Sequence, residues 1–327
     1  MNSFGRIFRL NVYGESHGPS IGIIIDGVPP GIHLEVGSFS EDILRRKPGQ
    51  IATTSRVETD YPIIKSGVFN HFTTGSPLCI EFENNNLVSS DYAELKNIPR
   101  PGHADFVANK KYLGFNDYRG GGHFSGRLSL LLVAAGVVAK KILSNIDFAT
   151  SIISIGGEID TEKGIHKAIE EQDSVGGIIE CKVKGLSVGI GEPFFDSIES
   201  VLSHLIFSIP AVKGIEFGSG FKSAEMFGSK HNDPMINTSG ETLTNHSGGI
   251  AGGLSNGNEL ILRIVVKPTS STPKEQISIN LENNKLESFQ VKGRHDLCIA
   301  LRVPVVLEAA VAIGLCDLMY ISKCNSI

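Results

Sequence analysis

Arg119-Gly120-Gly121-Gly122-His123-Phe124-Ser125-Gly126-Arg127 runs directly into residues 128–143, which are almost unbroken apolar sequence of helix length. Three consecutive glycines carry no Cβ, so the backbone there can approach a ligand closely. A glycine-rich loop that feeds a helix N-terminus is also a physical anion site, because unpaired N–H groups and the helix dipole both favour negative charge. Arg119, His123 and Arg127 flank it. A buried loop with ordinary glycine turns would show the same pattern. The segment upstream, Arg100-Pro101-Gly102-His103-Ala104-Asp105, tips the reading toward a site, since it sets a guanidinium, an imidazole and a carboxylate in one tight Pro-Gly turn.

The rest of the composition bounds what such a site serves. A chain of 327 residues with 20% charged and 41% hydrophobic residues is globular rather than disordered. Its formal net charge of −5 gives no support for nucleic-acid binding, so an anion site has to be a local cluster of arginines. The five cysteines are odd in number and show no paired metal spacing, which predicts reduced thiols, no metal centre and a cytoplasmic protein. No basic-plus-apolar leader opens the chain, and the apolar run after the glycines is broken at Lys140, too short to cross a bilayer. No membrane partner is expected.

Taken in order, residues 8–13 read as a strand delivering Gly14-Glu15-Ser16-His17-Gly18 onto a turn. A histidine set between glycines beside Ser16 and Glu15 suits a general acid/base, although a surface turn with a solvated imidazole has the same sequence. Residues 21–25 read as a buried strand. Ser40 is placed to cap a short helix with Glu41 and Asp42 in its first turn and Arg45, Arg46 and Lys47 in its last. Those cations complement a helix end, and equally would meet an anionic ligand. Residues 63–69 and 78–83 alternate as strands. Ile198, Val201, Leu202, Leu205 and Ile206 recur at helical spacing, and Pro210 ends that helix before a strand at 212–217. Residues 219–246 are polar and aperiodic, which predicts a long functional or mobile loop; 247–253 form a second glycine-rich loop. A strand at 260–266 ends in Lys267-Pro268-Thr269-Ser270-Ser271, and a polar linker leads to Gly293-Arg294-His295-Asp296 and a last helix at 305–319.

This set of motifs, in this order, resembles the chorismate synthase family. The matching pieces are Gly14 to Gly18, Asp26-Gly27-Val28-Pro29-Pro30-Gly31, Arg45-Arg46-Lys47-Pro48-Gly49-Gln50, the Arg100 turn, the triple glycine, Lys267-Pro268-Thr269-Ser270 and Gly293-Arg294-His295-Asp296, covering about residues 4–317. The resemblance implies an α+β fold, a β-α-β sandwich, with residues 1–327 as one domain and a homotetramer as the assembly. It implies a lyase of the shikimate pathway that eliminates phosphate from 5-enolpyruvylshikimate 3-phosphate with reduced FMN. By matching position, His17, His103 and Asp296 would be catalytic. Arg45, Arg46, Arg100, Arg127 and Arg302 would hold the substrate. FMN contacts would fall on His123, Phe124, Ser125, Ala211, Gly252, Lys267, Pro268, Thr269, Ser270, Ser271 and Arg294.

The chain departs from the family in places. After the glycines the family commonly has Arg-Ser-Ser-Ala-Arg-Glu-Thr, where this sequence has His123-Phe124-Ser125-Gly126-Arg127-Leu128-Ser129. An imidazole there would make a flavin contact depend on pH. Pro210-Ala211 stands where the family often has Asn-Ala, and residues 50–56 are short, so no nicotinamide-site residue is carried over. Two other functions share this pattern: a flavin reductase consuming NAD(P)H on the same scaffold, and a non-catalytic binder of phosphorylated ligands. His17, His103 and Asp296 argue against the second.

Overall fold

The structure is a computed structural model and describes residues 2–49, 51–54, 59–85, 97–291 and 295–325. Strands β1 (Ser3–Phe4), β2 (Arg9–Gly14), β3 (Ser20–Asp26), β4 (Ile63–Ser66) and, after the small hairpin of β5 (Val68–Phe69) and β6 (Phe72–Thr73), β7 (Leu78–Glu83) build the first sheet. Its order is β1-β2-β3-β7-β4, with every pairing antiparallel. Strand alternation sends Ile21, Ile23 and Ile25 to one face, opposite Phe82, Ile80 and Leu78 in register, and all six are fully buried.

Helix α1 (Ser40–Arg46) follows this sheet's first strands, α2 (Asp105–Lys111) follows the Pro-Gly turn, and α3 (Ser129–Ile142) follows the glycines. The second sheet contains β8 (Asp147–Ile155), β9 (Gly177–Lys184), β10 (Val212–Phe217) and, beyond the β11 (Ile250–Ala251) and β12 (Leu254–Ser255) hairpin, β13 (Leu260–Val266). It is again wholly antiparallel, in the order β10-β13-β9-β8. Helices α4 (Thr161–Glu170), α5 (Ile198–Ile206) and α6 (Gly228–His231) lie between its strands in sequence, and α7 (Pro304–Asn325) ends the described chain.

Helices α3 and α7 pack together as the middle layer, α3 against β3 of one sheet and α7 against β8 and β9 of the other. The result is the β-α-β sandwich of the α+β class that the family resemblance implied. Close approach of the two helices has a specific cause. A Cβ on Gly136 would lie 2.3 Å from the Ala309 Cβ, so glycine faces alanine where the helices meet. Helix α7 is long and apolar enough to cross a membrane, but it is mostly buried between protein layers. A helix apolar on all sides belongs in a core or a bilayer, and here the two sheets provide the core. Its two acidic groups are satisfied internally. Asp317 accepts from the backbone N–H groups of Arg6, Ile7 and Phe8 at 2.8–3.1 Å, and Glu308 takes Arg45 and Lys140.

Three local expectations change. Ser40 is the first residue of α1 rather than its cap, because a 3₁₀ turn over Val36–Phe39 runs straight into the helix. The polar linker is a hairpin of β14 (Gln276–Asn280) and β15 (Lys285–Phe289), exposed enough that no apolar alternation marks it. It braces the Arg100 turn from behind: Ser278 Oγ donates to the Pro99 carbonyl and Leu281 N to that of Asn97. The aperiodic 219–246 segment is ordered by Asp233, which accepts from Thr244 Oγ1, His246 N and Ser247 N at 2.7–2.9 Å.

Candidate active site

The two motifs that opened the sequence reading meet at one cavity of about 530 Å³. That is a size suited to a small ligand plus a cofactor ring. Gly120 lines one wall, and it and the two glycines after it have positive φ, at 57°, 82° and 54°. The absent Cβ atoms make room for two imidazoles. A Cβ on Gly120 would lie 2.3 Å from both Cε1 and Nδ1 of His17, and one on Gly121 would lie 3.2 Å from Cε1 of His103. In the structure two of the glycines approach the pair of histidines.

His17 is buried, and its Nδ1 lies 3.1 Å from Ser16 Oγ. Ser16 Oγ also lies 3.1 Å from the Gly120 carbonyl, and Ser16 N donates to the Gly122 carbonyl, so the two loops are tied together. His103 is held differently. Its Nδ1 is 2.6 Å from Asp105 Oδ1, and Asp105 also accepts from Arg100 Nε at 2.7 Å and Nη2 at 2.8 Å. Burial alone would push the Asp105 carboxyl up, but hydrogen bonds from Arg100 and His103 outweigh it and hold the group well below the usual carboxylate range.

Positive charge dominates the lining. Arg46, Arg100, Arg127, Lys267 and Arg302 contribute to it, and Asp296 is the one carboxylate among the described lining residues. The arginines are fixed in place. Asp60, fully buried, sits between Arg127 (2.8 Å) and Arg46 (3.4 Å). Arg302 reaches Asp296 at 3.1 Å and the Arg46 carbonyl at 3.0 Å. Asp296 also accepts from Thr54 N at 2.8 Å. A small ligand carrying several anionic groups would find compensating charge in such a pocket.

The opposite wall comes from the second sheet. Lys267 Nζ lies 2.8 Å from Ser270 Oγ, which donates to the Gly102 carbonyl and so joins this loop to the Pro-Gly turn. Burial, with Lys213 nearby, lowers the lysine's affinity for its proton. Ala211 holds a left-handed φ of 73° while its carbonyl accepts from Lys267 N. Thr269 Oγ1 is buried on this wall with no hydrogen-bond partner among the described residues. An unsatisfied buried hydroxyl is costly unless a ligand pairs it. With Phe124, Ile209, Ile299, Val303 and Val306 also on the lining, the residues present fit a group that combines an apolar ring system with a phosphate.

The cavity brings together His17, His103, Asp296, Arg46, Arg100, Arg127, Arg302, His123, Phe124, Ser125, Ala211 and residues 267–271. It does not bring in Arg45 or Gly252. Arg45 makes a two-point contact with Glu308 at 2.7 and 3.0 Å and reaches Asp42 at 3.0 Å, on the side of α1 that faces α7. Gly252 sits at the β11–β12 turn, with nothing within 4 Å of where its Cβ would be. Arg294 lies outside the described residues. His123 lines the cavity, but its Nδ1 is 2.8 Å from the Gly14 carbonyl and its Nε2 is 3.1 Å from Asn2 Oδ1. Both ring nitrogens thus face protein groups, and the pH-dependent flavin contact expected of His123 has no nitrogen to make it. Sequence reasoning missed Asp60, Thr54 and Asn84. Asn84 Oδ1 accepts from Arg127 Nε at 2.6 Å. Their only local signal is the positive φ of Asp60, 44°, which sequence does not display.

A family profile described as chorismate synthase matches residues 8–320. A chorismate synthase from Chitinophaga pinensis is 60% identical over 324 residues, covering 99% of this chain and 98% of its own. One from Dehalococcoides mccartyi is 42% identical over 349 residues, covering 97% and 96%. A solved structure titled as the crystal structure of chorismate synthase superposes with a TM-score of 0.75 at 24% identity, over 97% of this chain and 93% of that one, which is a likeness of fold.

Proposed function

The chain belongs to the chorismate synthase family and is a lyase, and from that premise we propose that it eliminates phosphate and a ring proton from 5-enolpyruvylshikimate 3-phosphate to give chorismate. The observation that carries this reading is the pair of histidines, His17 and His103, packed on either side of one glycine loop at the wall of a cationic cavity. A 1,4-elimination breaks a C–O bond to phosphate and a C–H bond on the same ring. It therefore needs cations for the leaving group and proton acceptors nearby.

Arg46, Arg100, Arg127 and Arg302 supply the positive field for the ester's carboxylates and phosphate, and Asp60, Asp105 and Asp296 keep those guanidiniums in place. His17 and His103 hold or pass protons at their ring nitrogens, and Asp296, hydrogen-bonded by Thr54 N, assists removal of the ring proton. The cofactor assigned is reduced FMN, whose electron-rich ring supplies electron density when bound. Residues 267–271, Ala211, Phe124 and Ser125 would hold it, with Thr269 Oγ1 as a ready partner for one of its polar atoms. The chain acts as one unit over residues 1–327, in the cytoplasm, as a homotetramer; the highly exposed Phe194, Phe195, Phe221 and Phe227 are apolar surface that such an assembly would cover.

Under anaerobic conditions, FMN reduced with dithionite supports turnover of the ester, whereas oxidised FMN in air supports none. Substantial turnover in air without a reductant would overturn the cofactor assignment. NADPH oxidation without the ester would reveal flavin reduction as an added activity.

A further inference from the structure

We propose that Asp105 is a positioning residue that keeps a proton on Nδ1 of His103 and so makes Nε2 the nitrogen that exchanges protons with the ligand. The inference rests on the proton-transfer role given to His103 above and adds to it which atom does the work and what selects it.

The distance decides the proton's place. His103 Nδ1 and Asp105 Oδ1 are 2.6 Å apart, and two lone pairs at that separation would repel, so a hydrogen lies between them. Asp105 remains a carboxylate, because it accepts from Arg100 Nε, Nη2 and backbone N as well. The hydrogen therefore belongs to the imidazole. Arg100 Nη2 lies 3.1 Å from Nδ1 and 3.3 Å from Nε2; a guanidinium only donates, one of its Nη2 hydrogens goes to Asp105 Oδ1 at 2.8 Å, and the ring nitrogen with a lone pair to accept the other is Nε2. That leaves Nε2 on the ring edge beside Gly121, where the missing Cβ would otherwise sit 3.3 Å away.

The other charged or titratable groups around this turn come from two elements. Lys267 and Ser270 approach Gly102 from the loop after β13, and His17 lies across the glycine loop. None of the three makes a hydrogen bond with Nδ1, whose partners are Asp105 and Arg100, so none holds Nδ1–H in place of Asp105. Arg100 is itself clamped by the same carboxylate and by Ser271 Oγ at 3.0 Å, so Asp105 orients a cation and an imidazole together. Removing its charge frees the ring to adopt either tautomer, the failure known when the carboxylate of a serine-protease triad is made an amide.

Imidazole nitrogen NMR on the flavin-free protein reads the tautomer directly. Neutral His103 is expected as Nδ1–H in the wild type and as a mixture in Asp105→Asn and Asp105→Ala. In turnover, both variants should lose about 10²–10⁴-fold in kcat with a smaller rise in KM. Added formate should restore part of the loss in Asp105→Ala, which a merely structural defect would not allow. An Nε2–H tautomer in the wild type, or one unchanged by Asp105→Ala, overturns the proposal. A fixed Nδ1–H in the wild type together with full turnover in His103→Ala would leave the pairing intact and sink the role of His103 in the elimination.

Discussion

His17→Ala and His103→Ala each lower kcat by about 10²–10⁴-fold, the range lost when a positioned acid or base is removed, while KM for the ester changes by much less. The split follows from what each ring touches. His17 has Ser16 Oγ and the Gly120 backbone for neighbours, and His103 has Asp105 and Arg100. The positive field that would bind an ester with three anionic groups comes from Arg46, Arg100, Arg127, Lys267 and Arg302, all of which remain. Steady-state kinetics with reduced FMN separate the two parameters. Wild-type kcat in either variant would remove that histidine from the mechanism, and a rise in KM with kcat unchanged would make it a binding group.

Gly120→Ala should come close to His17→Ala in effect without touching a titratable group. The new methyl would need to occupy a point 2.3 Å from His17 Cε1 and Nδ1 and 2.8 Å from Ser16 Oγ. Real contacts do not close to that distance, so either the imidazole leaves its position or the loop does. The φ of 57° adds about 1–2 kcal/mol of left-handed strain for an L residue. A displacement of about 1 Å at a reacting group costs on the order of 10² in rate. The expected result is a folded protein with a near-native circular dichroism spectrum and kcat reduced about 10²-fold or more. Near-normal kcat in a folded Gly120→Ala would mean that the glycine does not set the position of His17.

How far these features could be read in the sequence depends on whether they are local. Strand β13 was legible over its full length because Leu260, Leu262, Ile264 and Val266 alternate inward, and α5 because its apolar residues recur at helical spacing. The β14–β15 hairpin was not, since an exposed ribbon leaves no buried face to pattern. The site residues divide in the same way. His17, His103 and the triple glycine carry the family's motifs, but the packing of Gly120 against His17 joins segments about a hundred residues apart, and that of Gly121 against His103 is made across the intervening α2. Arg45 and Arg46 were indistinguishable in sequence, yet adjacent helical residues point about 100° apart. One arginine therefore reaches Ser129 and the cavity, and the other reaches Glu308 on α7. Asp60 was invisible because its partners, Arg46 and Arg127, come from different elements. His123 was read for its chemistry, and its two hydrogen-bond partners, Gly14 and Asn2, are remote in sequence.

The central claim is that this cavity performs the elimination. Purified protein, dithionite-reduced FMN and 5-enolpyruvylshikimate 3-phosphate, mixed without oxygen, should release inorganic phosphate and chorismate in equal amounts, at a rate cut to about 10⁻² or less in Gly120→Ala. Phosphate without chorismate, or neither product from a folded protein that binds both ligands, would contradict it.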